Sequence, residues 1–327
     1  MTKSGAVSCG VTALSALVLS NPSAAAPPKV ERVAYGGWAH CIRLSNAEVE
    51  LIATLDVGPR IIRFGFTGDR NEFAEFAEDM GKTGGDEWRL YGGHRLWHAP
   101  EEKPRTYFPD NAPVDVREVD GGVELTPPVE TTTGIQKRIS VLLDGDANRV
   151  RVIHGITNTN LWAVSLAPWS LSVMAPGGHA IIPHEGFRPH TEVLLPARPL
   201  VLWYYTDMSD PRWTWGRQYI QLQQDPGNPA PQKLGAMIRA GWAAYSNEDH
   251  LFIKRFPFVE AGAYLDYGCN AEFFTNERML EVESLGVRVT LEPGQTVEHE
   301  EVWTLHRGLP ELRTDAQIEA NVLPLVR

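Results

Sequence analysis

Apolar and polar residues alternate with a period of two along several segments of the chain, which is the pattern of half-buried β-strands. Residues 48–56 carry apolar side chains at every second position, and residues 60–66 follow them after a Gly-Pro turn. Residues 135–143 and 150–157 have the same character. The pattern predicts a strand in each of these four segments.

Short turns rich in Asp and Gly separate consecutive strands. The turn Asp120-Gly-Gly122 lies between residues 114–119 and 123–126, and residues 144–148 separate the next two strands. Such turns are typical of β-hairpins, whereas parallel strands need long crossover segments. The sequence therefore predicts an all-β fold of antiparallel sheets with few short helices, one of them near residues 315–321.

Strand character returns near residues 162–174. Pro168 predicts a bulge or a sheet edge there, because proline has no N–H to donate to a neighbouring strand. Trp169 offers a broad apolar face of the kind that stacks on sugar rings. His154 lies in register with apolar neighbours, so it is either a core histidine or a site residue on a concave sheet face.

Two late sets of polar residues have even spacing. In an extended strand, Asp266, Asn270 and Glu272 would share one face. The same holds for Glu281 and Glu283. Such a face either lines a binding site or meets solvent.

Composition and charge narrow the classes of function. Hydrophobic residues make up 43% and charged residues 22% of the 327 residues, which is a globular composition. The formal net charge of −11 argues against a nucleic-acid or anionic-membrane surface, since either needs clustered Lys and Arg. No domain boundary is evident, so residues 27–327 are predicted to form a single domain. The oligomeric state is left open.

The N-terminus has the features of an export signal. Lys3 precedes an apolar run at residues 11–20, and small residues follow at 22–26. We expect residues 1–26 to be a cleaved signal peptide, and the protein to be periplasmic or secreted without membrane association afterwards. The remaining cysteines, Cys41 and Cys269, would then form one disulfide or stay as two buried thiols.

The densest polar stretch of the chain runs from Tyr91 to Glu101 and on to Tyr107. It contains two histidines, His94 and His98, four residues apart after a Gly-Gly pair. Arg95 and Trp97 lie between them, and core packing does not require this concentration of polar groups. We predict a strand end that leads into an ordered binding loop.

A metal or cofactor site is not expected. His179, His184, Glu185 and His190 lie close in sequence, but their spacing is not that of a His-Glu-x-x-His zinc motif and no helix is predicted there.

Several motifs occur together in the order found in a known superfamily. They are Gly58-Pro-Arg-Ile61, Gly92-Gly-His-Arg-Leu-Trp97, Ala167-Pro-Trp169, Gly177-Gly178, Asp266 with Asn270 and Glu272, Leu280–Gly286 and Pro293-Gly294. As a set they resemble the galactose mutarotase-like superfamily and, more narrowly, a bacterial branch of domains of unknown function. The resemblance implies an antiparallel super-sandwich with a carbohydrate cleft on its concave face.

The resemblance also implies roles for residues. In mutarotases a histidine is the general acid and a late carboxylate takes the anomeric hydroxyl proton; Gly-Gly-His94 is similar to the histidine-bearing turn, and Glu281 or Glu283 to the late carboxylate. The chain differs from the family at Thr159-Asn160-Leu-Trp162, where an Asn-His pair is usual. A second histidine is therefore not identified by the motif.

We therefore expect an exported carbohydrate-active protein that binds a sugar or uronic acid, with acid–base chemistry of epimerase type. The predicted catalytic residues are His94, His98, Glu281 and Glu283. The predicted substrate-binding residues are Arg60, Arg95, Trp97, Tyr107, His154, Trp169, Asp266, Asn270 and Glu272.

Two alternatives remain open. A polysaccharide lyase would use Arg95 to neutralise a uronic carboxylate, with Tyr107 or His98 protonating the leaving oxygen. A non-catalytic sugar-binding domain would need only Trp97, Trp169 and hydrogen-bonding side chains.

Overall fold

The structure of the protein is a computed structural model that describes Met1 and residues 26–326. The described residues are mainly strands. In chain order these are β1 Lys29–Tyr35, β2 Trp38–Ser45, β3 Val49–Thr54, β4 Arg60–Phe66, β5 His94–Ala99, β6 Asp115–Val119, β7 Gly122–Thr126, β8 Ile135–Leu143, β9 Arg149–Asn158, β10 Val164–Met174, β11 His179–Pro183, β12 Leu200–Leu202, β13 Trp213–Trp215, β14 Tyr219–Gln223, β15 Gln232–Ala236, β16 Trp242–Asn247, β17 His250–Arg255, β18 Ala271–Thr275, β19 Leu280–Leu285, β20 Val289–Leu291 and β21 Thr296–His306. The helical elements are α1 Asp315–Asn321 and two 3-10 turns, Asp266–Gly268 and Leu323–Leu325.

The strands form two sheets in which every pairing is antiparallel. Sheet I has 11 strands in the order β1-β2-β3-β4-β5-β10-β19-β18-β15-β12, with β20 also paired to β10. Sheet II has 10 strands in the order β13-β14-β11-β16-β17-β21-β9-β8-β7-β6. The all-β, antiparallel sandwich predicted from the sequence is confirmed.

The main hydrophobic core lies between the two sheets. Leu96 and Val282 of sheet I pack in one cluster with Val152 and Trp303 of sheet II. A fully buried side chain of this size contributes roughly 1.5–3 kcal/mol to stability. The other face of sheet I is also covered, since Trp169 is only 2% exposed. The central strands of sheet I are therefore buried on both faces.

The predicted hairpins and helix are present. Val119 pairs with Gly122 across a tight turn, in which Gly121 has a φ of 75° that favours glycine. Strands β8 and β9 pair across residues 144–148. Helix α1 covers the predicted residues and begins with a capping box, in which the Thr314 side chain accepts from the backbone N–H of Gln317.

Pro168 lies inside β10, a central strand, and the structure explains how the sheet accommodates it. Residues 164–166 of β10 pair with β20, whereas residues 169–174 pair with β19. Pro168 falls at the break between these partners, so its missing N–H interrupts no ladder on that side.

The extended strand that would carry Asp266, Asn270 and Glu272 is only partly formed. Asp266 and Tyr267 adopt positive φ values of 50° and 58° within a 3-10 turn, and the strand itself begins at Ala271. The expectation that Asp266, Asn270 and Glu272 share one strand face is therefore corrected.

The predicted signal peptide falls on residues that lie almost entirely outside the described part of the chain. Among the described residues, no helix has the length and hydrophobicity to cross a membrane. Cys41 and Cys269 are both buried free thiols.

Candidate functional site

The two faces of sheet I carry different chemistry. Side chains that pair directly across neighbouring strands point to the same face. His94 pairs with Ser172, which in turn pairs with Val282, and these three belong to the inner face that packs on sheet II. Arg95 pairs with Leu171, which pairs with Glu283, so these three belong to the opposite, outer face.

This register separates two groups of side chains that were predicted from the sequence to lie in one cleft. His94 and His98 lie on the inner face of β5, whereas Glu281 and Glu283 lie on the outer face of β19. The expected pairing of an early histidine with a late carboxylate across one cleft is therefore corrected. The reason is the period of two: β5 cannot present its histidines and Arg95 on the same side.

The inner-face histidine belongs to a fully buried polar network between the sheets. His154 Nδ1 donates to the backbone oxygen of His299 at 2.9 Å, so its Nε2 is an acceptor. His94 Nε2 lies 2.7 Å from that atom and donates to it, while its Nδ1 accepts from the Ser172 hydroxyl at 2.9 Å. One set of tautomers thus satisfies every ring nitrogen of both histidines.

A carboxylate and an ammonium complete this network. Burial opposes ionisation of Glu301, but Lys254 and the three nearby histidines hold its pKa well below the usual range. Lys254 Nζ lies 3.0 Å from Glu301 Oε1, and the hydroxyls of Ser170 and Ser284 donate to the same oxygen. His299 Nε2 contacts the Ser284 hydroxyl at 2.6 Å.

The donor atoms of His94, His154 and Glu301 lie within 4.8 Å of one another, a spacing that could hold a metal ion. The residues do not fit one. Lys254 already supplies the positive charge that Glu301 needs, and the two imidazoles are hydrogen-bonded to each other. The network therefore holds the sheets together, and His154 lies in it as a core residue.

The outer face of sheet I forms a cleft, defined here by two adjoining pockets that share Glu101, Tyr107 and Trp169. One pocket has a volume of about 330 Å³ and the other about 290 Å³. Of the predicted site residues, those that line the cleft are Arg95, Trp97, Tyr107, Trp169, Asp266, Glu272 and Glu281. No histidine is among the lining residues of these two pockets in the described part of the chain.

Aromatic rings form the floor and one wall of the cleft. Trp97 and Trp169 meet edge to face with ring centroids 5.3 Å apart, and Tyr107 packs on Trp97 at 4.9 Å. The guanidinium of Arg95 lies over the Trp97 ring, 4.5 Å from its centroid. Trp88 continues this wall, with its ring centroid 5.7 Å from that of Trp97.

Lys233 forms ion pairs with the buried carboxyl groups of Glu272 and Glu283. Its Nζ lies 2.6 Å from Glu272 and 3.5 Å from Glu283, and it also lies over the Trp169 ring. Burial alone would lower the pKa of Lys233, but these carboxylates raise it well above its usual value. Burial raises the pKa of Glu283 to about 8, although Lys233 and the indole N–H of Trp169, 2.7 Å away, favour its charged form.

Asp266 and Arg95 are two further ionisable residues that line the cleft. Burial and the neighbouring Glu272 raise the pKa of Asp266 to about 6. Arg95 donates from Nη2 to Glu281 at 2.9 Å, while its Nε and Nη1 have no hydrogen-bond partner among the described residues. The cleft therefore holds a carboxyl that titrates near neutrality and a guanidinium with free donors.

Three other predicted residues lie outside the cleft. Arg60 is fully buried and donates to the backbone oxygens of Leu90 and Gly92, so it supports the turn before β5. Asn270 binds the backbone of Ile238 through both its amide oxygen and nitrogen. His98 lies near the end of the inner face, where its Nε2 is 3.3 Å from Glu130.

Several cleft residues were not predicted from the sequence. Lys233 could have been noticed as a lysine beside the apolar residues Leu234 to Ala236, but nothing in the sequence places it beside Glu272 and Glu283. Trp203 and Tyr205 lie in the loop after β12 and reach the cleft only through the fold. Glu101 belonged to the stretch singled out, without a role assigned to it.

Comparison with known proteins identifies the architecture. No family model and no curated protein sequence matches the chain. Among solved structures, a galactose mutarotase-like protein from Lactobacillus casei aligns with a TM-score of 0.52 at 11% identity, over 81% of this chain and 100% of its own. A galactose mutarotase-like protein from Clostridium acetobutylicum aligns with a TM-score of 0.53 at 9% identity, over 86% and 99%.

The chain has the galactose mutarotase-like fold. A galactose mutarotase related enzyme from Lactobacillus acidophilus agrees, with a TM-score of 0.54 at 9% identity over 84% of this chain and 99% of its own. The resemblance stated from the sequence motifs is thus confirmed at the level of the fold. At such low identity, the mutarotase-like fold carries no assignment of substrate or residue roles.

Proposed function

We propose that the outer-face cleft binds a saccharide. The observation that carries this proposal is the combination of an indole floor, Trp97 and Trp169, with carboxylates and a lysine at its edges. Sugar rings need an apolar surface for their C–H faces and hydrogen-bonding groups for their hydroxyls. The cleft offers both within pockets of about 330 and 290 Å³, which suit one or two sugar units.

The charge of the cleft bears on the kind of sugar. Among the described residues that line the first pocket are four acidic ones, Glu101, Glu102, Asp266 and Glu272, and one basic one, Lys103, and this balance favours a neutral ring there. In the second pocket the free N–H groups of Arg95 are suited to a carboxylate. A uronic acid would therefore place its carboxylate at Arg95 and a neutral part over Trp169.

A panel of neutral and uronic oligosaccharides would test this proposal, with binding measured by calorimetry and tryptophan fluorescence. We expect saturable binding that Trp203→Ala weakens at least about tenfold, because Trp203 lines the first pocket and is half-buried. Trp215→Ala is the matched control, since Trp215 is 40% exposed on sheet II, away from the cleft. Equal binding by both variants, or no binding at all, would refute the proposal.

A second candidate function is epimerase-type proton exchange in the same cleft, now with carboxyl groups in place of the histidines. The observation that favours it is the raised pKa of Asp266, about 6, beside Glu272 in the lining of the first pocket. A carboxyl with a pKa of about 6 can hold a proton in part of the molecules and donate it to a ring oxygen, while an oxygen of a neighbouring carboxyl group accepts from a hydroxyl.

Anomeric exchange followed by NMR tests this second candidate. Asp266→Asn should abolish exchange while leaving saccharide binding within about threefold of the parent protein. Exchange that persists in this variant would remove Asp266 from the chemistry. A rise in ultraviolet absorbance with uronic polymers would instead indicate β-elimination, the lyase alternative.

We also propose that the protein is exported, on the support of the apolar run at residues 11–20 and the small residues at 22–26. Mass spectrometry of the protein recovered from the native host would give its N-terminus. Cleavage near Ala26 is the expected result, and an intact N-terminus on cytoplasmic protein would refute it.

A further inference from the structure

A third pocket, separate from the cleft, lies beside the inner-face residue His98. It has a volume of about 370 Å³, and its lining includes His98, Arg105, Thr133, Asn160 and Trp162. We call it the His98 pocket. No part of the proposed function uses it, so its occupancy and that of the cleft can be tested independently.

The protonation of His98 follows from its partner. Burial opposes ionisation of Glu130, but Lys137 at 2.6 Å and His98 lower its pKa to about 2. Glu130 is therefore an ionised acceptor, which also accepts a hydrogen bond from the Thr133 hydroxyl at 2.6 Å. His98 must donate its Nε2 proton to this carboxylate.

The other ring nitrogen of His98 is then a free acceptor. Burial lowers the pKa of His98, so the ring is neutral near pH 7 and Nδ1 carries a lone pair. Nδ1 has no hydrogen-bond partner within residues 26–326, although the side chain is only 1% exposed. A buried acceptor left unpaired costs about 1–3 kcal/mol.

A free donor lies on the same pocket. Arg105 donates from Nη2 to the backbone oxygen of Pro100, while its Nε–H is buried and finds no partner in the described part of the chain. Both Arg105 and His98 line the pocket. The residues that line the pocket thus include one with an unpaired acceptor, His98, and one with an unpaired donor, Arg105.

The rim of the pocket is an exposed indole on an anchored loop. Trp162 is 64% exposed, yet its backbone oxygen accepts from Asn158 Nδ2 at 2.8 Å. In the same loop, Asn160 Nδ2 donates to the backbone oxygen of Thr133, also at 2.8 Å. A large aromatic side chain held at the mouth of a pocket is a typical contact surface for a ligand.

We propose that the His98 pocket is a second binding site that takes one hydroxylated ring of pyranose type. One hydroxyl donates to His98 Nδ1, another accepts from Arg105 Nε–H, and the C–H face of the ring stacks on Trp162. A fully ionised anion does not fit, because it would bring acceptors alone against the lone pair of His98. A hydroxyl can donate to one group and accept from the other.

NMR titration with a series of methyl pyranosides tests the site in the full chain. At least one of them should cause a saturable shift of the Trp162 indole N–H signal, which is identified by its absence in Trp162→Ala. His98→Gln keeps an N–H for Glu130 but removes the Nδ1 acceptor, so it should weaken this binding about tenfold. Should His98→Gln fail to fold, Arg105→Met removes the donor instead and should weaken binding to a similar extent.

Trp203→Ala is the control for the separate cleft and should leave the Trp162 shift unchanged. The absence of a saturable shift with every pyranoside would overturn the proposal, as would a shift that survives both His98→Gln and Arg105→Met. Binding of N-methylacetamide without any pyranoside would also overturn it, since an amide presents the same donor and acceptor without the ring.

Discussion

The Nε2 atoms of His94 and His154 lie 2.7 Å apart and join the two sheets through one hydrogen bond in the centre of the sandwich. Both side chains are fully buried. Replacing His94 by Ala would leave a cavity and an unpaired acceptor on His154. We expect His94→Ala to lower the free energy of unfolding by about 3 kcal/mol, as measured by urea denaturation.

If His94 had a catalytic and not a structural role, His94→Ala would be as stable as the parent protein. His190→Ala is the control for stability, because His190 is exposed, and it should change unfolding little. Saccharide binding in the cleft should be retained by folded His94→Ala. If that variant were as stable as the parent, the structural role of the histidine pair would be disproved.

Asp266 should make stability depend on pH in a defined window. Its pKa is raised to about 6 in the folded protein, against about 4 in an unfolded chain. Folding therefore favours the protonated form of Asp266. The stability that this preference adds is fully present below about pH 4 and is lost as pH rises through about 6. Asp266→Asn cannot ionise, so the parent should lose stability relative to this variant across that window.

Thermal unfolding of both proteins at a series of pH values would measure the difference. A carboxyl carbon signal of Asp266 with a midpoint near the ordinary value for aspartate would contradict the prediction. Asp79→Asn provides a comparison variant outside the cleft.

Lys233 should be needed for stability as well as for the shape of the cleft. Its side chain is 7% exposed and lies beside Glu272 and Glu283, which are 1% and 0% exposed. Lys233→Met would leave the buried Glu272 without its cation beside the buried Glu283 carboxyl, and we expect the free energy of unfolding to fall by about 3–5 kcal/mol in urea denaturation.

The matched control is Lys103→Met, because Lys103 is an exposed lysine at the rim of the same cleft. A second change, Glu272→Gln, should restore part of the stability lost in Lys233→Met, since it removes one uncompensated charge. Additive losses in the double variant would show that the two side chains do not depend on each other.

The two buried thiols should be unreactive until the protein unfolds. Burial raises the pKa of Cys41 to about 11, and burial together with Glu272 and Asp266 raises that of Cys269 further. Thiols rather than thiolates react slowly with electrophiles. Iodoacetamide labelling followed by peptide mass spectrometry should modify both cysteines only in denaturant, and a disulfide-linked peptide would contradict the free-thiol state.

The residues of the outer cleft were partly predictable, because the alternation along a strand fixes which of its side chains share one face of the sheet. The alternation along residues 94–98 already separated His94 and His98 from Arg95 and Trp97. In the same way Glu281 and Glu283 could be assigned to one face of their strand, which the structure shows. The site as a whole was not predictable, because both faces of sheet I are buried and polarity did not reveal which one meets sheet II.

Lys233 and Asp266 are cleft residues whose positions could not be predicted from the sequence. Lys233 reaches Glu272 because β15 pairs with β18, and this neighbour relation depends on long-range strand order. Asp266 reaches the cleft through a 3-10 turn with positive φ, where the sequence pattern had suggested a strand.

The sequence by itself determined the strands, the hairpins, the C-terminal helix and the motifs of the galactose mutarotase-like fold, because these depend on contacts between residues close along the chain. Only the tertiary structure decided that the histidines of β5 lie in the core and that Trp97, Trp169 and the carboxylates form a cleft. The physical reason is that a strand fixes which side chains lie opposite one another, whereas the packing of whole sheets fixes which side is covered.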